Sequence, residues 1–191
     1  MEHLLNLGHK KILFLHGREG NVNFDLRYQT YCSILKKNSL EPLVLKTGGE
    51  DSETAYRKVK TFLPLHKEIT AIFGGNDGNA LGALRAVKEL GLNVPKDISL
   101  IGFDDIPEAG KSEPPLTTLH IPIEEMGRLG VETLLKRIEN QNKDLPVKIF
   151  LPTRLIIRQS TVSDADEKIT KKVAQEKRVA EIKRITDPHL K

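Results

Sequence analysis

Short apolar runs alternate along the chain with longer segments whose apolar residues recur at helical spacing. Four such runs predict buried strands: Lys11–Leu15, Pro42–Lys46, Thr70–Phe73 and Ile98–Phe103. The segments between them predict helices: Tyr28–Lys37, a helix capped by Asp51 or Ser52, and one that runs from Asn76 or Asp77 to about Leu90. Gly91 follows the last of these helices where a left-handed cap is expected. Strands that alternate with helices predict an α/β fold with a doubly wound parallel sheet.

The rhythm changes after Asp105. Four prolines indicate a loop-rich stretch around an extended segment from Thr117 to Ile121, and a helix from about Ile123 to Glu139 follows. Val147–Leu151 and Leu155–Ile157 then resemble strands. Charged residues dominate from residue 162 onward, so we expect a folded core over 1–161 and a charged, helical or disordered tail over 162–191. A helix in this tail could be solvated or could bind a partner.

Composition narrows the classes of protein. The net charge is +4, but the basic residues form scattered pairs among acids, so a solvated surface is favoured over a DNA-binding face. No apolar run is long enough for a membrane span, and the N-terminus lacks the pattern of a secretion signal. The single cysteine, Cys32, excludes an internal disulfide. We therefore expect a cytoplasmic protein.

Polar residues follow each of the four predicted strands. In an open parallel sheet, ligands bind beyond the carboxyl ends of the strands. The first strand leads into a long polar segment, 16–27, which contains Arg27, and the third and fourth lead to Asn76 and Asp104. Guanidinium, amide and carboxylate groups together suit a hydroxyl-rich ligand better than catalysis. His16, at the first strand end, is expected to be a hydrogen-bonded structural or ligand-side histidine.

Interpretations of these residues other than ligand binding remain open. Asn76 and Asp77 could simply cap a helix, and Asp104 with Asp105 could form a turn or a divalent-metal site. The sequence has no phosphate-binding loop, no Gly-x-Ser-x-Gly, no His-Glu-x-x-His and no Cys-x-x-Cys. We therefore expect no enzyme activity, no cofactor and no metal.

Several stretches, in chain order, resemble a known family. They are Leu7-Gly8-His9-Lys10-Lys11-Ile12, Thr70-Ala71-Ile72-Phe73, Asn76-Asp77, Ala80-Leu81-Gly82-Ala83-Leu84-Arg85-Ala86, Asp97-Ile98-Ser99, Ile101-Gly102-Phe103-Asp104-Asp105, Pro114-Pro115-Leu116-Thr117-Thr118 and Leu155-Ile156-Ile157-Arg158-Gln159-Ser160-Thr161. Over about 155 residues this set resembles the effector-binding core of LacI/GalR-type transcriptional regulators.

The resemblance implies a periplasmic-binding-protein-like fold of type I, with one near-complete lobe and part of another. It implies a homodimer that binds a sugar or similar metabolite and contacts DNA only through a head that would lie before Met1. Matched by motif, Arg27, Asn76 and Asp104 would contact the effector, and Phe24 or Phe73 would supply an apolar wall. Thr30 departs from the motif, because the family usually has glycine there.

Two alternatives of other classes remain. A stand-alone sugar-binding component of a transport system would use the same ligand chemistry, although the N-terminus shows no export signal. A small α/β enzyme would use Asp77, Asp104 or His16. Ordered motifs favour the regulator over both.

Overall fold

Helices and strands alternate along residues 1–139 and 148–161, which are the residues that the computed structural model describes. The strands are β1 (Ile12–His16), β2 (Leu43–Lys46), β3 (Ala71–Gly74), β4 (Ser99–Asp104), β5 (Thr117–His120) and β6 (Arg154–Ile156). The helices are α1 (Glu2–Asn6), α2 (Val22–Lys37), α3 (Ser52–Phe62), α4 (Asp77–Glu89), α5 (Pro107–Lys111) and α6 (Ile123–Glu139), and a 3₁₀ turn spans Leu63–Leu65.

The strands form one sheet in the order β2-β1-β3-β4-β5-β6. Strands β1 to β5 pair in parallel, and β6 pairs antiparallel with β5. The α/β, mostly parallel sheet expected from the sequence is therefore confirmed. The carboxyl ends of β1 to β4 lie along a single edge, which is the edge where a ligand is expected.

Helices cover both faces of the sheet because each central strand is apolar on both sides. Leu13, Ile72 and Leu100 pack with residues of α3 and α4 on one face. Phe14 and Ile101 pack with residues of α1 and α2 on the other. Continuous apolar runs of this kind are typical of parallel strands that are buried on both faces of the sheet. The doubly wound arrangement follows from them.

Side-chain caps set the starts of the longer helices. The Asp51 carboxylate accepts the backbone N–H of Thr54 at the start of α3, and the Asn76 amide oxygen accepts that of Asn79 at the start of α4. Between the two predicted candidates, Asn76 is thus the cap. Gly91 follows α4 with a φ of 76°, as predicted for a glycine that ends a helix.

Three elements differ from the sequence-based prediction. Helix α2 begins at Val22 rather than Tyr28, because Asn21 caps it by accepting the N–H of Asn23. The polar segment 16–27 is therefore helical over its second half. Helix α5 lies in the stretch that the prolines predict to be a loop. A helix can form there because Pro107 occupies its first turn, where proline is tolerated. Residues 148–151 form no strand, and Val147 lies outside the described residues, as does the predicted tail 162–191.

Helix α6 has the predicted extent but buries none of its residues. Its predicted apolar face is exposed: Met126, Leu134 and Ile138 have exposed fractions of 53%, 59% and 65%. An apolar area of this kind usually marks an interaction surface. No described helix combines the length and apolar content that a membrane crossing requires.

Candidate functional site

Arg27 and Asp104 meet at the carboxyl edge of the sheet. One guanidinium nitrogen of Arg27 donates to Asp104 Oδ1 at 3.3 Å, and the other terminal nitrogen donates to the carbonyl oxygen of Gly75 at 2.5 Å. The helix α2 places the arginine there, since Arg27 lies in the second turn after the Asn21 cap. Three strand ends thus contribute to one polar cluster, although the two charged residues are 77 positions apart.

An aromatic ring supports the guanidinium. The central carbon of Arg27 lies 3.8 Å from the centroid of the Phe103 ring, a stacking distance that fixes the plane of its donors. The Phe24 ring is further away, at 5.7 Å. Phe103 was not among the residues predicted to contact a ligand. Its position directly before Asp104 was the signal that could have identified it.

Burial shifts the pKa of both charged groups. Desolvation lowers the pKa of Arg27, although the charge and hydrogen bond of Asp104 oppose this change. Desolvation raises the pKa of Asp104, where the Arg27 charge counters and the Asp77 charge adds to the rise. The side chains of Arg27 and Asp104 retain exposed fractions of 17% and 28%. Both groups are therefore partly dehydrated and still partly accessible to solvent.

The backbone at Asp104 is strained. Asp104 has a φ of 121° and the next residue, Asp105, has a φ of 62°, which side chains other than glycine rarely adopt. Strain of this type is found preferentially at ligand sites, where the surrounding structure holds it. The Asp104 carboxylate contacts Arg27, whereas the Asp105 carboxylate contacts other residues.

Asp105 takes part in a separate ion-pair cluster. Its carboxylate accepts hydrogen bonds from Arg158 at 2.7 Å and from the Nδ1 side of His120 at 2.9 Å. Burial opposes ionisation of Asp105, but these hydrogen bonds and charges outweigh it and hold the pKa of Asp105 below its usual value. The cluster joins the end of β4 to β5 and to the segment after β6. No motif in the sequence predicts this cluster.

Asn76 lies at the same edge and has local partners for both ends of its amide. Its oxygen accepts the Asn79 N–H at 2.7 Å, and its nitrogen donates to the carbonyl oxygen of Glu50 at 2.9 Å. The residue thereby holds the loop after β2 against the start of α4. One amide hydrogen and one oxygen lone pair remain available for a ligand.

His16 is buried at the end of β1, with an exposed fraction of 5%. Its Nε2 lies 3.1 Å from Asp25 Oδ1, and its Nδ1 lies 3.4 Å from the carbonyl oxygen of Gly17. Both ring nitrogens therefore face oxygen atoms of neighbouring residues. These contacts agree with a structural histidine, and a contact between His16 and a ligand stays a prediction.

The two predicted aromatic walls occupy different places. The Phe24 ring is 2% exposed and fills the space beside Gly17 and Gly75, where an added Cβ would meet the ring at 2.5 Å and 2.4 Å. Phe73 is 6% exposed and packs edge-on against Phe14 in the core, with ring centroids 5.4 Å apart. Phe24 thus shapes the floor beneath the site, whereas Phe73 lies within the core.

Comparisons with known proteins agree on one family. The family model of the periplasmic binding protein-like domain matches residues 1–161. The HTH-type transcriptional repressor MelR of Bacillus subtilis is 33% identical over 175 residues, which cover 87% of this chain and 50% of MelR. The lactose operon repressor of Escherichia coli is 32% identical over 163 residues, which cover 85% of this chain and 45% of that repressor. The chain spans about half the length of the curated relatives it matches.

Solved structures show the same relationship. A LacI family transcriptional regulator from Enterococcus faecium with bound ribose has a TM-score of 0.76 and 31% identity, over 84% of this chain and 59% of that one. A dimeric lac repressor with an 11-residue C-terminal deletion has a TM-score of 0.77 and 31% identity, over 85% of this chain and 59% of that one.

Proposed function

The chain belongs to the periplasmic binding protein-like domain family, in the form found in LacI/GalR-type repressors, and we propose that it is the effector-binding part of a transcriptional regulator. It senses a sugar or similar polar metabolite and controls operator binding through a separate DNA-binding head. It acts in the cytoplasm as a homodimer and does not transform its ligand.

The meeting of Arg27 with Asp104 is the observation that carries this proposal. A planar donor fork and a carboxylate acceptor, 3.3 Å apart, can pair with two adjacent hydroxyl groups of one ligand. Phe103 holds the guanidinium flat, so little side-chain entropy is lost when a ligand binds. Asn76 supplies one more donor and one more acceptor at the same edge.

The site transmits binding through differential affinity. A ligand changes the balance between two arrangements of a two-lobed protein only if it binds one of them more tightly. Asp104 is held in a strained conformation next to Asp105, which anchors β5 and the segment after β6 through His120 and Arg158. A ligand that contacts Asp104 would therefore lie next to the residue that holds β5, and β5 leads directly into α6.

The competing functions have weaker support. The relatives named above are repressors, which favours regulation over transport. For an enzyme, His16 would have to act as a base, yet both of its ring nitrogens face internal partners. Asp77 is fully buried and accepts two internal hydrogen bonds, so it supports the fold rather than a reaction.

A thermal-shift screen tests the proposal. Pentoses, including ribose, hexoses and nucleosides are added to the parent chain at increasing concentration, and at least one is expected to raise the melting temperature, because a ligand of the folded state stabilises it. Arg27→Ala and Asp104→Ala are expected to weaken that response about 10- to 100-fold in ligand concentration, since each removes a charge-assisted hydrogen bond.

Arg57→Ala is the matched control, because Arg57 is exposed on α3 and pairs there with Glu53, which is not a residue of the site. Its response is expected to equal that of the parent. The proposal fails if no sugar or nucleoside stabilises the parent. It also fails if both site variants respond as the control does, or if the ligand is consumed at a sustained rate.

A further inference from the structure

A cavity lies at the opposite edge of the sheet from the candidate site. It has a volume of about 550 Å³. Its floor is apolar and comprises Leu63, Ile69, Leu90, Leu92 and Ile98. Two of these, Ile69 and Ile98, come just before β3 and β4, so the cavity lies at the amino ends of the strands. A strand of four residues separates the two edges by roughly 13 Å.

Two lysines stand at the mouth of this cavity. Lys67 and Lys96 are exposed, and neither ammonium group forms an ion pair with a carboxylate in residues 1–139 and 148–161. The lining contains one acid, Asp97, which accepts hydrogen bonds from the backbone N–H and the side-chain amide of Asn93 at 2.7 and 2.9 Å, and the charge of Lys96 helps to lower its pKa. Two lysines and one aspartate leave the mouth with an excess of positive charge above an apolar floor.

We propose that this cavity is a second binding site and that it takes a small amphipathic carboxylate. The alkyl or aryl part would contact Leu92 and Ile98, and the carboxylate would lie between Lys67 and Lys96. The volume falls in the range of small-molecule sites, which are mostly apolar with a few polar groups that fix orientation. Lysine is a point charge on a flexible stem, so it can follow a carboxylate at the mouth without a fixed fork geometry.

Nothing in this site depends on the candidate effector site. The two share no lining residue, and they face opposite ends of the same helix: α4 begins beside Asn76 and ends at Glu89, directly before Leu90. A sugar has no apolar part to fill the floor of this cavity, and a neutral hydrocarbon would gain nothing from the lysines. The ligand class therefore differs from that of the first site.

An NMR titration of the full ¹⁵N-labelled chain with sodium octanoate tests this proposal. Saturable amide shifts are expected around Ile69, Leu92 and Ile98, with a dissociation constant at or below about 1 mM. Octan-1-ol, which has the same chain and no charge, is expected to cause clearly smaller shifts at about 2 mM. The absence of saturable shifts at these residues up to about 10 mM octanoate would overturn the proposal. Equally strong binding of the alcohol would overturn it as well.

A charge-reversal variant completes the test. Lys67→Glu with Lys96→Glu is expected to weaken octanoate binding at least about tenfold, because an attraction becomes a repulsion. Both positions are exposed, so the fold is kept, and Lys58→Glu on the outer face of α3 is the matched control, expected to stay within about twofold of the parent. Equal affinity of the double variant and the control would contradict the assigned site.

Discussion

Substitution of Asp77 tests which contacts stabilise the edge of the sheet that carries the candidate site. This fully buried carboxylate, in the first turn of α4, accepts the Thr118 hydroxyl at 2.6 Å and the Ile106 backbone N–H at 2.9 Å. It therefore ties α4 to β5 and to the loop that follows Asp104. Desolvation raises the pKa of Asp77, and the charge of Asp105 adds to that rise, whereas the two hydrogen bonds oppose it.

Two substitutions separate its hydrogen bonds from its charge. Asp77→Ala leaves the half-buried Ile106 N–H and the buried Thr118 hydroxyl without an acceptor, which should reduce the free energy of unfolding by about 2–4 kcal/mol. In Asp77→Asn, the amide oxygen can accept the Ile106 N–H and the amide nitrogen can donate to Thr118. We expect this variant to stay within about 1 kcal/mol of the parent at pH 7, because it also removes a poorly solvated charge.

The sign of the pH dependence follows from the raised pKa. Protonated Asp77 is favoured in the folded state, so its contribution to stability is fully present below the unfolded pKa and is lost as pH rises through the folded pKa. Relative to Asp77→Asn, the parent should therefore gain stability as pH falls from 7 towards 4. Urea unfolding followed by circular dichroism at several pH values measures this difference. The reasoning is refuted if Asp77→Asn is as destabilising as Asp77→Ala, or if Asp77→Ala costs less than about 0.5 kcal/mol.

Three further predictions concern the core and the site edge. Tyr31→Phe should lower the free energy of unfolding by about 1–3 kcal/mol in urea, because the buried hydroxyl accepts the Leu43 N–H at 2.8 Å; an unchanged midpoint would contradict this. Gly102→Ala should destabilise more than Gly127→Ala, since an added Cβ at Gly102 would meet Asp77 Oδ1 at 2.0 Å whereas at Gly127 it meets open space; equal melting temperatures would count against it. Asp105, whose pKa is lowered, should contribute stability that is lost as pH falls through its folded pKa. Asp105→Asn should therefore flatten the acid limb of the stability curve, and a curve parallel to that of the parent would argue against it.

The sheet could be predicted because its signals are local. Each of the strands β1 to β4 contains a continuous apolar run, and glycines or capping side chains separate most of these strands from the helices. The start of α2 was missed because Asn21 and the polar residues after it look like a loop in sequence. In the structure, the Asn23 N–H donates to the Asn21 side chain and the Asp25 N–H donates to the Asn21 carbonyl oxygen, so the helix begins there.

The candidate site was predictable in part. The rule that parallel strands end at one edge brings Arg27 and Asp104 together although 77 positions separate them. No such rule pairs Asp105 with Arg158, because the path of the chain between β5 and β6 is not written in any local pattern. The core position of Phe73 was equally hidden, since an apolar residue in a doubly covered strand can face either layer of helices.

For α6, the sequence predicts the apolar face correctly but does not show whether that face is covered. Periodicity predicts an apolar stripe, and the described residues leave that stripe uncovered. A pattern of residues indicates that a surface is apolar but does not indicate what packs on it.

The central claim is that a polar metabolite binds where Arg27 meets Asp104, at the carboxyl edge of the sheet. Amide NMR shifts of the ¹⁵N-labelled chain, recorded during titration with the sugar or nucleoside that stabilises it most, test this most directly. We expect the largest shifts at Arg27, Asn76 and Asp104, and their loss in Arg27→Ala but not in Arg57→Ala. Shifts confined to the amino edge of the sheet, or the same shifts in both variants, would contradict the account.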